Sequence, residues 1–357
     1  MINNMSPQGK VTVSVLMPVY NGERFLREAV QSVLRQTLAD FELFVIDDGS
    51  TDGTSSILGA CRDPRVKVIR QTVNSGIASA LNHGLEVCSG AFIARMDADD
   101  ISVPNRLAKQ TSFLQEHTDV GILGSCCELI DTRGQRVGTL NLPLTDLAIR
   151  WSALLANPFA HPSTMIRRDV LERHRLRFNQ AFLVAGDYDL WTRLLTYTRG
   201  ANLDEPLIRY RIHNGTLTSR YRKTQLENRD RIALRAISGQ FPGFRIMLPQ
   251  VTQLRQFLTG EDEESADGLE RSALIRLYVH LWRAFAQKHR GEVGLTELQR
   301  KEVLKLARIL LRPPLPPGWW VVLPRLLALS PSLSLFLIAR APRRLMMFTS
   351  RQRPSTG

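Results

Sequence analysis

The sequence predicts an α/β fold, with a mostly parallel sheet flanked by helices, followed by a helical C-terminal region. Three observations support this prediction. Short apolar, β-branched segments alternate with amphipathic segments of about ten to fifteen residues as far as His213. Several apolar segments end abruptly in polar clusters, as the strands of such sheets do at their ligand-binding edge. From about Thr216 the apolar period is that of packed helices.

The first part of the chain contains four strand-type segments. Each is rich in apolar residues, and three of the four stop directly at Pro or Asp, which are residues of turns. Because helices separate the strands, right-handed crossovers and a parallel sheet are expected. The predicted strands are Val11–Met17, Leu43–Ile46, Val66–Ile69 and Phe92–Met96, and the predicted helices are Phe25–Gln36, one after Asp52, and Ala78–Val87.

The pattern after Pro104 is less regular. A hairpin is predicted to turn at Thr132–Gly134, and a loop over Asn157–Ser163 leads to another strand. The other predicted elements are helices near Leu107–Leu114, Leu147–Leu155, from Gly186, and over Gln225–Ser238, Leu269–His289 and Thr296–Leu311, and strands over Val120–Gly124, Thr164–Ile166 and Leu207–His213. We therefore predict a polar tail at 1–10, an α/β domain at 11–215 and a helical, basic region at 216–357.

The stretch Phe92–Asp100 carries the strongest chemical signal. An apolar run with the pattern of a buried strand ends in Asp97, Asp99 and Asp100. Residues two apart in an extended chain point the same way, so Asp97 and Asp99 can face one ligand. Mg²⁺ or Mn²⁺, bound through one or two carboxylates and a substrate diphosphate, would satisfy them. The alternative is that Asp99 and Asp100 cap the following helix.

Two other strands are followed by polar clusters. Pro18–Asn21 follows the first strand, and Asp47–Asp48 follows the second. Ligands collect beyond the carboxyl ends of parallel strands, so these clusters and Asp97–Asp99 are expected at one rim. Their convergence favours a ligand site over a helix cap.

The charge distribution points to anionic partners. The 357 residues include 47 basic and 34 acidic side chains, and no Asp or Glu occurs from Val303 onward. Within this basic end, Trp319–Ala339 approaches the roughly 20 apolar residues of a membrane span, although Arg325 and two prolines interrupt it. A span, plain helical packing and peripheral contact with an anionic membrane surface all remain open. Nucleic acid is not expected, because few aromatic residues interleave the basic ones.

The cysteines and the N-terminus bear on the compartment. The four cysteines, at positions 61, 88, 126 and 127, lack metal-ligand spacing, and the adjacent pair would be an unusual disulfide. Met1–Lys10 is polar, and no secretory signal is visible in it. We therefore expect a cytoplasmic location, with any membrane contact at the inner face.

Five motifs, taken in order, resemble those of family 2 glycosyltransferases with a GT-A fold. The resemblance extends from about Val11 to His213, and five ordered motifs are far more specific than any one of them. It implies a transferase with a nucleotide-diphosphate sugar donor. The motifs are Pro18-Val19-Tyr20-Asn21, Asp47–Thr54, Asn74-Ser75-Gly76, Ala94–Asp100 and Gly186–Trp191.

The resemblance also implies roles in binding the nucleotide sugar. Asp48 would hydrogen-bond a uracil-type base, and Asp97 would lie near the ribose. Asp99 would coordinate the metal that bridges the diphosphate. The remaining residues assigned to the nucleotide-sugar site are Pro18, Tyr20, Asn21 and Asn74.

Asp187 matches the acid that serves as catalytic base in inverting members. Members often carry Glu immediately before it, whereas this chain has Gly186. The alternative is that Asp187 and Asp189 only complement a helix dipole. His161 and His213 also lie in motif-like positions, where a structural hydrogen bond and a contact with diphosphate or acceptor are equally open.

These assignments predict an inverting, metal-assisted glycosyltransferase. It would move a sugar from a nucleotide-diphosphate donor, UDP-type favoured, to a hydroxyl of a glycan or lipid-linked acceptor in cell-surface polysaccharide assembly. A nucleotidyltransferase would need a Gly-rich, Arg-containing loop after the first strand, and a receiver domain would leave Asp97–Asp100 and Asp187 unused. An Asp-x-Asp phosphatase would need its pair after the first strand. The remaining alternative, favoured by Gly186, is a nucleotide-sugar-binding protein of the same fold without turnover.

Overall fold

Residues 11–260 and 268–310 are described by a computed structural model. The predicted tail at 1–10 and the segment Trp319–Ala339, with its three interpretations, lie outside these ranges. The chain divides into two units, Met1–Ala236 and Ile237–Gly357. Every residue assigned to the candidate site belongs to the first unit.

The described residues form a nine-stranded sheet and helices. The strands are β1 (Val13–Val19), β2 (Phe41–Asp47), β3 (Val66–Arg70), β4 (Phe92–Arg95), β5 (Ile101–Ser102), β6 (Val120–Ile130), β7 (Arg136–Leu140), β8 (Met165–Arg167) and β9 (Arg199–Arg211). The helices are α1 (Leu26–Leu34), α2 (Thr54–Ala60), α3 (Ile77–Val87), α4 (Arg106–Glu116), α5 (Asp146–Ser152), α6 (Arg168–Arg173), α7 (Gly186–Leu194), α8 (Leu217–Arg220), α9 (Arg222–Gln240), α10 (Leu248–Thr259), α11 (Gly268–Lys288) and α12 (Leu295–Leu310). A 3₁₀ turn covers His161–Ser163.

The first four strands are parallel, as predicted, and they lie in the order β3, β2, β1, β4. Every residue of β1 and β2 is buried. Alternate residues face opposite sides: Val13 and Val15 pack with Leu26 of α1, whereas Leu16 packs with Leu81 of α3. Helices therefore cover both faces, which explains why these strands are apolar throughout.

Beyond β4 the sheet becomes mixed. β8 lies antiparallel between β4 and β6, β9 runs parallel to β6, and β7 pairs with β6 through the predicted hairpin. β9 begins eight residues before its predicted start at Leu207. The first part of β9 has no regular alternation of apolar and polar residues, because a bulge interrupts its pairing with β6. Ser125 pairs with Leu203 and the next residue, Cys126, pairs with Pro206, so Asp204 and Glu205 have no partner in the ladder.

The chain from α9 onward is helical in the ranges described, as predicted. α9, α11 and α12 lie within a few residues of their predicted bounds, whereas α10 was not predicted. Val251 and Leu254 are buried apolar residues of α10 and give it a short apolar face. None of the described helices is both long enough and apolar enough to span a membrane.

Candidate active site

The acids that follow β4 do not cap a helix, because α4 begins only at Arg106. The Oδ2 atom of Asp99 lies 2.9 Å from Nε2 of His213. The backbone N–H of Arg211 donates to Oδ1 of Asp100 at 2.7 Å. The capping interpretation is therefore wrong, and both acids are held by the end of β9 and the residues that follow it.

Arg211 holds the loop Asp97–Asp100 in place through contacts with several other parts of the chain. Its buried guanidinium donates to the backbone carbonyls of Asp99 at 2.8 Å and Asp131 at 3.1 Å, and it pairs with Glu28 at 2.6 Å. It also lies over the ring of Phe25, 4.5 Å from the ring centroid. Sequence reasoning left this residue without a role. The signal that could have found it is the Arg-x-His spacing, which places Arg211 and His213 on one face of an extended segment.

Asp100 is buried beside two other carboxylates. Burial, followed by the charges of Asp99 and Asp97, raises the pKa of Asp100 well above its usual value. Its Oδ2 atom has no hydrogen-bond partner among the described residues. This position agrees with a structural role, in which Asp100 anchors the loop to Arg211.

Asp97 is paired with Arg95, a buried residue of β4. The Nη2 atom of Arg95 lies 2.5 Å from Oδ1 of Asp97, and its Nε donates to Nε2 of His161 at 3.1 Å. Because Nε2 accepts this bond, the His161 ring is neutral. Desolvation, and then the charge of Arg95, lowers the pKa of His161 to about 4.

Three arginines near these acids are engaged in contacts within the protein. Arg95 is engaged as described, and Arg106 donates to the backbone carbonyls of Arg95 at 2.7 Å and Thr164 at 3.3 Å. Arg209 pairs with Glu128 at 2.9 Å.

Asp187 lies in the first turn of α7, yet its side chain does not cap that helix. Its Oδ2 atom accepts a hydrogen bond from Nδ2 of Asn157 at 2.7 Å. Ala185, which precedes the helix, has a left-handed backbone with φ 65°. A Cβ at Gly186 would meet Cβ of Phe182 at 3.9 Å, an ordinary contact, so packing at this distance does not require glycine there.

The side chains of His161 and Tyr210 are both affected by Asp187 and by the acids that follow β4. The charges of Asp187 and Asp97 both act on His161 and raise its pKa against the larger effect of burial. Tyr210 of β9 is affected by the same two charges and by those of Asp99 and Asp100, and burial together with these acids raises its pKa. A direct contact links these parts of the chain: the His161 ring, which is bonded to Arg95, packs edge-on against Trp191 of α7, with centroids 6.1 Å apart.

The loops assigned to the nucleotide are joined by hydrogen bonds. Asp48 accepts from the backbone N–H groups of Ser75 at 2.8 Å and Gly76 at 2.9 Å, and Asn74 accepts from the latter at 3.1 Å. Asn21, with φ 51°, accepts from the N–H of Thr51 at 2.8 Å. The loops after β1, β2 and β3 therefore form one rim, as expected for a parallel sheet.

Tyr20 and Pro18 occupy different environments in this rim. The Tyr20 side chain is 46% exposed, which leaves its ring available to a ligand. Pro18 is buried within β1. A proline is tolerated in this central strand because its register with β4 ends at Leu16 and Arg95, so the missing N–H removes no ladder bond to β4. Contact of either residue with nucleotide stays a prediction.

Asp99 and His213 are the residues that could hold a divalent metal. Their facing oxygen and nitrogen atoms are 2.9 Å apart, close enough to share one cation. A carboxylate oxygen suits Mg²⁺ or Mn²⁺, and a neutral imidazole nitrogen is a common metal ligand. Among the described residues no cluster of three or more His, Cys, Asp or Glu side chains could enclose a metal. The donor set fits a metal that takes its other ligands from substrate and water.

The family model described as glycosyl transferase family 2 matches residues 14–175. An uncharacterized glycosyltransferase of Haemophilus influenzae is 34% identical over 230 residues, which cover 62% of this chain and 71% of that protein. This chain belongs to glycosyl transferase family 2. It is therefore a transferase enzyme, and the family resemblance of its motifs is confirmed.

Two further similarities are informative. The O-antigen biosynthesis glycosyltransferase WbnJ of Escherichia coli is 34% identical over 213 residues, which cover 57% of this chain and 80% of that protein. The crystal structure of residues 1–349 of TarS from S. aureus, in complex with UDP-GlcNAc, superposes with a TM-score of 0.55 at 20% identity and covers 83% of this chain and 87% of that one. At this identity the likeness shows the fold, and it confirms the predicted GT-A class with its helical C-terminal region.

Proposed function

We propose that this family 2 glycosyltransferase is an inverting, metal-assisted enzyme. It moves a sugar from a nucleotide-diphosphate sugar, UDP-type first, to a hydroxyl of a glycan or lipid-linked acceptor in cell-surface polysaccharide assembly. The observation that carries this proposal is the contact of His161 with both sides of the site. His161 accepts a hydrogen bond from Arg95, which pairs with Asp97, and its ring packs edge-on against Trp191 of α7, the helix whose first turn holds Asp187.

Asp187 is the base in the proposed reaction. It takes the proton of the acceptor hydroxyl while the acceptor oxygen forms a bond to the anomeric carbon. The bond between that carbon and the phosphate oxygen breaks, and the nucleoside diphosphate leaves with the electron pair. Because attack comes from the face opposite the leaving group, the anomeric configuration is inverted. A base in this role contributes about 10²- to 10⁴-fold to the rate.

The residues that follow β4, together with those at the end of β9, would stabilise the leaving group. Asp99 and His213 would hold a Mg²⁺ or Mn²⁺ ion, which when bound stabilises the charge on the departing diphosphate. Arg211 holds the backbone of Asp99 at its carbonyl, and Arg95 holds the carboxylate of Asp97. Asp48, Asn21, Asn74, Tyr20 and Pro18 are assigned to the nucleotide.

Donor and acceptor class rest on the comparisons. WbnJ is named for O-antigen biosynthesis, and this supports a surface polysaccharide acceptor. TarS was solved in complex with UDP and with UDP-GlcNAc, so uridine nucleotides are the first donors to test. Peripheral contact with an anionic membrane surface stays part of the proposal, on the basis of the basic C-terminal sequence.

The test is a panel of nucleotide sugars incubated with purified protein and Mn²⁺, scored for donor hydrolysis and for transfer to glycan or lipid-linked acceptors. We expect turnover with a UDP-sugar that is lost in Asp187→Asn, whereas donor binding by calorimetry is retained. Full turnover in Asp187→Asn would refute the base assignment. Donor binding without turnover on any acceptor would instead favour the alternative of a binding protein of the same fold.

A further inference from the structure

Among the described residues, Asn157 is the one whose side chain donates a hydrogen bond to the carboxylate of Asp187. Its Nδ2 donates to Oδ2 of Asp187 at 2.7 Å, within the short range of charge-assisted bonds. Among the described residues no hydrogen bond reaches the other oxygen, Oδ1, of Asp187. This leaves one carboxylate oxygen held by the protein and the other for an incoming hydroxyl.

The orientation of the Asn157 amide is set by a second bond. Its Oδ1 accepts the backbone N–H of Phe159 at 3.3 Å, so Nδ2 must face Asp187. A flipped amide would place an oxygen against the carboxylate and lose both bonds. The two contacts together make the donor position unambiguous.

The loop that carries Asn157 is itself anchored. Asn202 of β9 donates to the carbonyl of Pro158 at 3.1 Å. The ring of Phe159 packs edge-on against Trp191 of α7, with centroids 6.2 Å apart. The loop is therefore tied both to the sheet and to the helix on which Asp187 lies.

We propose that Asn157 is the positioning residue of the catalytic base, which holds one oxygen of Asp187 so that the other is directed at the acceptor hydroxyl. This inference rests on the proposed function, in which Asp187 is that base. It also addresses Gly186: the position before Asp187 carries no side chain that could orient the carboxylate, and Asn157 provides this contact from a separate loop.

The charged surroundings of Asp187 allow a specific readout. His161, from the 3₁₀ turn, is neutral, and burial lowers its pKa to about 4. Tyr210, from β9, has a raised pKa, Asp97 is paired with Arg95, and Asp99 contacts His213. A new carboxylate at position 157 would face Asp187 directly, and two carboxylates in contact share a proton.

Asn157→Asp is the test variant, because it keeps the shape of the side chain and the acceptor for Phe159 while it replaces the donor. We expect kcat to fall at least about tenfold, within the range that a general base supplies. The acidic limb of the kcat profile should move to higher pH by about one unit or more, because the carboxylate pair retains a proton. The KM for the donor should not change.

Asn82→Asp is the matched control. Asn82 is also partly buried, and its amide makes the same two kinds of bond, from Nδ2 to the carbonyl of Phe178 at 2.9 Å and from the N–H of Phe178 to Oδ1 at 2.8 Å. The difference is the acceptor: Nδ2 of Asn82 donates to a backbone carbonyl, whereas Nδ2 of Asn157 donates to a carboxylate. A wild-type pH profile in Asn82→Asp and a shifted one in Asn157→Asp would support the inference.

The outcomes separate the inference from the proposed function. A wild-type kcat and pH profile in Asn157→Asp, with Asp187→Asn inactive, would overturn the role of Asn157 and leave the base assignment in place. Turnover in Asp187→Asn would overturn both. If Asn157→Asp fails to bind donor in calorimetry, Asn157→Ala decides: a lowered kcat at unchanged donor KM supports the inference, and a wild-type kcat refutes it.

Discussion

At the scale of single residues, the candidate site depends on contacts between short side chains from distant elements. Asp99 meets His213, Asp187 meets Asn157, and each pair joins a predicted residue to one whose role was open or unrecognised. Asp99 was identifiable because a carboxylate at the end of an apolar strand is costly without a partner, whereas Asp187 was identified by its place in a family motif. Their partners were not, because a lone His or Asn in a loop has many other uses.

Removal of either proposed metal ligand should weaken donor binding only when metal is present. We expect Asp99→Asn and His213→Ala to lower the affinity for a UDP-sugar at least about tenfold in Mn²⁺, since each removes a ligand of the ion that joins protein to diphosphate. Calorimetric titration with and without Mn²⁺ measures this. Asp119→Asn, which changes an exposed acid paired with Arg199, is the control. Equal donor affinity of wild type with and without metal would contradict the prediction.

Ala185 should gain stability on replacement by glycine. Its φ of 65° lies in the left-handed region, which costs a residue with a Cβ about 1–2 kcal/mol. Glycine removes this cost but increases the freedom of the unfolded chain, so Ala185→Gly should raise the free energy of unfolding by about 0.5–1 kcal/mol. Urea unfolding measures the change. Ala148→Gly, within α5, should instead lower stability by about 1 kcal/mol.

At the scale of elements, α7 is held in place by α9 through a buried carboxylate. Asp189 is fully buried, and it pairs with Arg193 of its own helix at 2.7 Å and with Arg235 of α9 at 2.5 Å. Asn228 of α9 also donates to the carbonyl of Val184 just before α7. Sequence reasoning placed Asp189 with Asp187 in a helix N-terminus. The ion pairs separate the two acids in role: Asp189 is structural, and Asp187 is the candidate base.

The buried pair should contribute far more to stability than an exposed pair of the same spacing. Arg193→Ala leaves the fully buried Asp189 with Arg235 as its remaining ion-pair partner, and we expect a loss of about 2–3 kcal/mol. Asp169 and Arg173 of α6 form a pair with the same i,i+4 spacing and the same 2.7 Å distance, but both are exposed. Arg173→Ala should cost less than about 1 kcal/mol. Similar losses in denaturant unfolding of the two variants would refute this account.

At the scale of the whole molecule, the sheet changes character where the site forms. The parallel half, which was predicted from the alternation of strands and helices, carries the loops assigned to the nucleotide. The mixed half supplies Asn157, His161, Tyr210 and Arg211. Its topology escaped prediction because β5 has only two residues, too few for a period to be recognised, and because bulges interrupt the pairing of β6 with β9.

His161 should make global stability depend on pH. Its pKa falls from 6.5 in an unfolded chain to about 4 in the folded protein, so the unfolded state binds more protons between these values. The stability that the neutral His161 retains is complete above about pH 6.5, and it is lost as the pH falls towards 4 because the unfolded state takes up a proton. His161→Gln, which keeps an acceptor for Arg95, should therefore show a shallower loss of stability over this window in urea unfolding. His117→Gln, at an exposed position, should follow wild type, and identical slopes for all three proteins would contradict the prediction.

The sequence by itself determined the class of the fold, the family, the acids placed at strand ends, and Asp187 as the acid of a family motif. These follow from neighbouring residues, because apolar period, turn chemistry and the cost of a carboxylate beside a core strand are local properties. The tertiary structure alone decided the partners of those acids. His213 lies 114 positions from Asp99, and Asn157 lies 30 from Asp187, and only the register of the sheet and the packing of α7 bring them within hydrogen-bond distance.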